Sequence, residues 1–360
     1  MNLRDWSWYH GNLEWLRART IFLTKAGSHA YGTNTPTSDI DLRGIAIPPK
    51  EYFLGQLHRF EQAETKGDPD VVVTDIRKFV KLASDCNPNV IELLFTDPSD
   101  WLTPDFDELQ ASGALTIGGL KGAWYRLYAN RHLFLSKKAK FTFSGYAIAQ
   151  LKRIQTHRGW LLNQPKKKPE RSDFGLPDAP TLAKEQFGVI EAKIRKVEDT
   201  AGGLGWTKDQ VEGVDEALVA AVAQEADLHP NLIPLIVAER KYNAACRQWA
   251  SFVKWQEERN ETRSELEKKF GYDTKHGMHL VRLMRMAREI LDLGEVRVKR
   301  PDAEELLTIR RGAWDYCDLI AWARNEEVAL NESYEASKLP HGADVKKIDE
   351  LLVSIVGDTL

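Results

Sequence analysis

KAGSHAYGTNTPTSDIDLRGIAIP, Lys25 to Pro48, sets a Gly-Ser turn eleven residues ahead of two carboxylates spaced Asp-x-Asp. The apolar run Ile21-Phe22-Leu23 precedes it and has the character of a strand. Gly27 permits a tight turn. The Ser28 hydroxyl and nearby backbone N–H groups can then hold phosphate oxygens at the start of a helical turn. A second strand is predicted from Asp39 to Ile47. Its side chains alternate, so Asp39, Asp41 and Arg43 share one face while Ile40 and Leu42 turn to the core. Two hard oxygen ligands on one face, beside a phosphate-holding turn, suit Mg²⁺ carrying a nucleoside triphosphate.

Outward from this stretch, residues 1–19 pattern as an amphipathic helix whose Trp6, Trp8, Leu13 and Leu16 cover a sheet. Val71 to Ile76, rich in β-branched residues, predicts a third strand with Asp75 at its C-terminal end. Arg77–Ala83 has helical period, and Asn87-Pro88 opens a helix with an Asn cap and Pro at the first position. Beyond about residue 110 helical periodicity dominates. Helices are predicted at 181–200, 207–227, 230–269, 274–293, 302–329 and 341–356, with Gly271 and Gly294 as stops. Four prolines between Asn163 and Pro180 mark an exposed loop carrying Lys166, Lys167 and Lys168. Gly294–Arg300 alternates as a short extended piece. The expected class is α+β: a small mixed-sheet catalytic domain over 1–110, then a large helical domain over 111–360.

Net charge is −3, which alone says nothing of a polyanionic partner. Its distribution says more. From Leu109 to Pro169 there is no Asp or Glu, while Lys and Arg occur twelve times. That asymmetry marks a basic stretch, about 121–171, as a candidate substrate-binding surface. The three cysteines are far apart and show no Cys-x-x-Cys spacing, as expected of a reduced, cytoplasmic protein. MNLRDWSWYH lacks the apolar core of a signal peptide. Apolar runs such as Ala217–Ala223 are far short of the roughly 20 residues a membrane helix needs.

Gly27-Ser28 followed by Asp39-Ile40-Asp41 resembles the signature of the DNA polymerase β-type nucleotidyltransferase superfamily. The longer string GSHAYGTNTPTSDIDLRG resembles the YcgL/RlaP-type predicted nucleotidyltransferases, the latter associated with RNA repair operons. NPNVIELLF (Asn87–Phe95), FSGYAIAQLKRIQTHRGWLL (Phe143–Leu162) and GYDTKHGMHLVRLMRM (Gly271–Met286) look like the same family. The resemblance implies transfer of NMP from an NTP to a hydroxyl, with pyrophosphate leaving and two Mg²⁺ or Mn²⁺ ions held by three carboxylates. Asp39 and Asp41 match the first two. Asp75 is the choice for the third, with Glu92 its competitor.

Other candidates follow from charge and position. Gly27 and Ser28 would meet the leaving phosphates. Arg43 would meet a phosphate or neutralise the carboxylates. Lys275, His276 and His279 fall in the first turns of a helix capped by Asp273 or Thr274, where cations oppose the macrodipole. In the family this segment faces the nucleotide cleft, so Lys275 and His276 are expected to bind the triphosphate or the acceptor. Lys137, Lys138, Lys140, Lys152, Arg153, Arg158 and Lys166–Lys168, interleaved with aromatics, suit an RNA strand. The resulting expectation is a template-independent transferase acting on an RNA end, tRNA-like ends included. Its rivals are NMP transfer to a protein or small-molecule hydroxyl, and an inactive nucleic-acid-binding protein.

Overall fold

The structure, a computed structural model, describes residues 3–103, 119–180, 183–203, 219, 220, 222, 229–258 and 261–360. The chain forms two compact units: Met1–Arg158 with Glu265–Leu360, and Gly159–Ser264. The expected boundary near residue 110 and most of the predicted helix 207–227 lie outside the described residues.

The first unit is built on a five-stranded mixed sheet, in the order β3-β4-β2-β1-β5. The strands are β1 (Thr20–Ala26), β2 (Asp41–Ala46), β3 (Gln62–Thr65), β4 (Asp70–Asp75) and β5 (Trp101–Thr103). β2 runs parallel to β4, and the other pairings are antiparallel. Short helices join the strands: α1 (Leu16–Arg19), α2 (Gly27–Tyr31), α3 (Glu51–Leu54), α4 (Ile76–Ser84) and α5 (Pro88–Ile91). Asn87 accepts the Asn89 N–H and caps α5, with Pro88 at its first position, as the sequence predicts. Then come α6 (Gly119–Ala129), α7 (Lys138–Leu162), α8 (Lys184–Gly203), α9 (Ile233–Glu257) and α10 (Glu261–Phe270). The chain ends with α11 (Thr274–Leu293), α12 (Ala303–Arg310), α13 (Tyr316–Ala336) and α14 (Val345–Gly357). The α+β class is as expected.

Alternation along each strand divides the core in two. Phe22 and Ile45 face the helical side, where Phe22 stacks on Trp124 of α6 at 3.5 Å between ring centroids. Leu23, Leu42, Ala46, Val71 and Val73 face the other way, under Trp6, Trp8 and Leu16. The N-terminal segment therefore covers the sheet as expected, but not as a helix. Only Leu3–Asp5, a 3₁₀ turn, and α1 are helical, and Trp6 stands at φ 63°. His10-Gly11-Asn12 are poor helix formers. Stacking of Trp6 on Trp8 at 4.7 Å folds the segment back on itself instead.

The C-terminal helices follow their caps. Asp273 accepts the His276 N–H to open α11, and Gly294 closes it at φ 66°. The helix predicted over 302–329 is two, α12 and α13. Gly312 between them takes φ 92°, and a Cβ there would lie 2.2 Å from the Phe270 ring. Gly294–Arg300 is irregular and, among the described residues, joins no ladder; Val296, Val298 and Arg300 are buried alternately. In the second unit Ile190, Ile194, Val219, Val222 and Ile236 form one cluster, and Trp160, Phe252 and Trp255 another. Among the described residues no helix is long and apolar enough to cross a membrane.

Trp124 is fully buried. Trp124→Ala is expected to cost about 3–5 kcal/mol, read as an earlier urea transition of the first unit. A loss under ~1 kcal/mol would mean that this stack does not anchor the helical layer to the sheet.

Candidate active site

β1 ends at Ala26, and the chain turns at Gly27 into α2. Gly27 has φ 58°, and a Cβ at that position would sit 2.3 Å from Asp41 Oδ2. The glycine is thus required twice, by conformation and by close approach. Ser28 is half-buried in the first turn of α2, and its carbonyl accepts the Thr33 N–H. Asp41 opens β2. Asp39 lies two residues before the strand and is exposed, so the strand is shorter than predicted.

The parallel register sets Asp41 beside Asp70, the first residue of β4. Arg43 Nη2 lies 3.5 Å from Asp41 Oδ1 and 3.5 Å from Asp70 Oδ2. Burial raises the Asp41 carboxyl above its usual range. Arg43 and Lys275 oppose that shift, while the charges of Asp70 and Asp39 add to it. A cleft of about 230 Å³ lies against this edge, lined by Gly27, Tyr31, Asp41, Arg43, Asn89 and Glu92 among others.

The expectation for Asp75 is not met. Asp75 pairs with Ala46, five positions further along the strands and about 16 Å from the Asp41 level. Odd-numbered residues of β4 face the Trp6 side of the sheet, so Asp75 is also on the opposite face from Asp41. Its carboxylate is buried, accepts the Arg77 N–H as the cap of α4, and is gripped by the Arg77 guanidinium at 2.7 and 2.9 Å. Glu92 is no substitute. Arg282 Nη1 donates to its Oε1 and the Tyr31 hydroxyl to its Oε2, both at 2.6 Å. Sequence reasoning missed Asp70. β2 and β4 each open with Asp, and it is their parallel register that brings Asp70 level with Asp41.

From α11, Lys275, His279 and Arg282 recur at helical spacing on one face. Lys275 is exposed and lowers the Asp41 carboxyl through its charge. Burial, then Arg282 and Lys275, hold the His279 imidazole well below its ordinary range. Arg282 is buried, 3.8 Å over the Tyr31 ring. Of this row, Arg282 is the residue that the sequence did not single out. His276 lies off it, with Nε2 3.5 Å from Asp273 Oδ2. The buried Asp273 carboxylate thus lies beside the His276 ring at this helix start.

Several cations of the basic stretch have protein partners. Lys138 meets Asp85 at 2.8 Å and Lys167 meets Asp173 at 2.7 Å. Arg158 donates to the Gly271 carbonyl at 2.6 Å. Lys137 and Lys140 lie over the Tyr334 ring. Lys152, Arg153, Lys166 and Lys168 are exposed.

The donor set at Asp41 and Asp70 fits a hard divalent cation. Clustered carboxylates, one held up by burial and by its neighbours, are what such an ion relieves.

Residues 10–113 match the family model described as RNA repair pathway DNA polymerase beta family. A 141-residue stretch is 27% identical to an uncharacterized 38.9 kDa protein from the nrdC–mobD intergenic region of Enterobacteria phage T4. That match covers 37% of this chain and 38% of the phage protein. No solved structure matches the chain.

A raised carboxyl keeps its proton to higher pH in the folded than in the unfolded state. Stability from Asp41 therefore falls as pH rises through the window above the ordinary carboxylate value, and the penalty is complete at pH 7. Asp41→Asn should melt higher than the parent at pH 7 without divalent ions, with the gain shrinking towards pH ~4. A lower melting temperature at pH 7 would refute this electrostatic account. Gly27→Ala, which drives Cβ into Asp41, should abolish the rise in Tm on adding Mg²⁺ while the circular dichroism spectrum is retained. An unchanged Mg²⁺ response would separate Gly27 from the site.

Proposed function

We propose that this chain, whose residues 10–113 carry the polymerase β-type nucleotidyltransferase match, transfers NMP from an NTP to an RNA end. The observation that supports the reading most is the pairing of Asp41 with Asp70 at one strand edge, against Gly27 and within the field of Lys275. Asp39, Asp41 and Asp70 are the metal-holding residues in this proposal. When bound, Mg²⁺ would neutralise charge on the phosphates and on the entering and leaving oxygens.

The chain's own groups have separable tasks. The acceptor hydroxyl forms a bond to the α-phosphorus as the α–β bridge bond breaks, and the electron pair leaves with pyrophosphate. Asp70, level with Asp41, receives the hydroxyl proton. Lys275 supplies positive charge to the leaving phosphates, and Ser28 a hydrogen bond. Buried Arg282, fixed by Glu92 and Tyr31, holds α11 in place so that Lys275 faces Asp41. RNA as acceptor is supported by the description of the matching family and by the exposed cations Lys152, Arg153, Lys166 and Lys168.

Purified protein with each α-labelled NTP, Mg²⁺ and cellular RNA should place label in RNA. Asp41→Ala and Asp70→Asn should each lower the rate by ~100-fold or more at retained fold. Asp75→Ala should instead chiefly lower stability, by about 1–2 kcal/mol for the lost cap. Label in protein alone would move the acceptor to a protein hydroxyl. Undiminished turnover in Asp70→Asn would remove Asp70 from the chemistry.

RNA affinity should fall with salt, at about −0.7 in log K per log salt for each phosphate contacted. Lys166→Ala with Lys168→Ala should make that slope shallower. A flat salt dependence in the parent protein would argue against a nucleic-acid acceptor.

A further inference from the structure

His157, Asp273 and His276 offer three ligand atoms that all lie within 4.8 Å of one another. His157 comes from α7, Asp273 caps α11, and His276 stands in the first turn of that helix. His157 is more than a hundred residues from the other two in sequence, and all three belong to the same compact unit. The imidazole rings are 5.9 Å apart between centroids, tilted by 54°. His276 Nε2 and Asp273 Oδ2 are 3.5 Å apart.

We propose that these three residues form a site for a borderline transition-metal ion, Zn²⁺ in the first instance, separate from the carboxylate site at Asp41 and Asp70. Zn²⁺ binds imidazole nitrogen and carboxylate oxygen at about 2.0–2.2 Å, so two ligands on a tetrahedron stand about 3.4 Å apart. The His276–Asp273 separation already matches that edge. The remaining separations are within 4.8 Å, and side-chain rotation on binding would have to shorten them. Two His and one carboxylate also leave a fourth position for water. Imidazole nitrogens select zinc-like ions over Mg²⁺ and Ca²⁺, which want oxygen.

The surroundings hold the ligands in place. Asp273 is 1% exposed, and its Oδ1 accepts the His276 N–H at 3.1 Å, which directs Oδ2 towards the His276 ring. A ligand oriented through its second oxygen in this way is typical of a supported metal site. Next to His157, Arg158 donates to the Gly271 carbonyl at 2.6 Å and lies over the Tyr316 ring at 4.4 Å. This ties the His157 turn of α7 to the chain just ahead of Asp273. A phosphate group is a poor occupant, since the buried Asp273 carboxylate would repel it. The ion would clamp α7 to the start of α11, the turn that carries Lys275, whose charge acts on Asp41.

The test uses the full chain, stripped of metal, with Zn²⁺ alone at near-neutral pH and no nucleotide, so its result is independent of the transfer assay. Competition with a chromophoric chelator should show tight uptake of a single Zn²⁺ per chain, with a rise in Tm. His157→Gln and His276→Gln should each weaken it by about 100-fold or more, since even outer partners of a metal ligand are worth 10–100-fold. Asp41→Asn should bind Zn²⁺ as the parent does. In the parent, Co²⁺ should give visible absorption of a nitrogen-bound, four-coordinate ion. No such absorption, or uptake equal in parent and both His variants, would overturn the site. Loss of uptake in Asp41→Asn would do the same by assigning the Zn²⁺ to the carboxylate cluster.

Discussion

The arrangement depends first on one register: β2 lies parallel to β4 with Asp41 level with Asp70. A shift by one residue would turn Asp70 to the opposite face and bring an apolar valine beside Asp41. The register is strongly specified because the other face is fully committed. Leu42 and Ala46 of β2 and Val71 and Val73 of β4 are all buried beneath the N-terminal aromatics. The core side of the sheet thus fixes the chemistry of its other side, and the tryptophans near the N-terminus serve the site without touching it.

The second requirement is a link between Glu92 and Arg282 of α11, 190 residues further along the chain. Arg282 and Glu92 are each 6% exposed in their side chains and meet at 2.6 Å. Tyr31, from the helix that follows Gly27, both donates to Glu92 and lies under the Arg282 guanidinium. Burial of such a pair is costly, and removing one partner typically loses about 3–5 kcal/mol because the other charge is left unpaired. The pair therefore commits α11 to one placement against α2. That placement makes Lys275 part of the Asp41 environment. Glu92 belongs to this scaffold, so its proximity to the cleft does not make it a metal ligand.

Much of this was legible in the sequence. The Gly-Ser turn, the Asn-Pro helix start and the bounds of α11 follow from local rules of turn, cap and period. What failed were matters of pairing. Asp75 was attractive because it ends a strand, yet the parallel neighbour of Asp41 is decided by which strand ends come level, information absent from β4 itself. The role of Arg282 is similar: a buried arginine within an apolar helix face is intelligible only with Glu92 and Tyr31 in view. The grouping of His157 with Asp273 and His276 is likewise non-local. Asp273 and His276 are three residues apart, but the third member of the group, His157, comes from α7.

Arg43 shows how the same geometry accommodates two charge states. Its contacts to Asp41 and Asp70 are both 3.5 Å, long for charge-assisted hydrogen bonds, and its side chain is 28% exposed. Ion pairs of that kind contribute only about 0–1 kcal/mol. Arg43 also donates at 2.8 and 2.9 Å to the Leu42 and Asp70 carbonyls, so the guanidinium is anchored through the backbone rather than through the acids. The carboxylates thus have a counter-ion that limits their repulsion but holds them weakly. In the proposed reaction a divalent cation held by Asp41 and Asp70 would bring twice the charge to the same oxygens. Arg43 Nη2 would then be available to the phosphates while Nη1 keeps its backbone anchor.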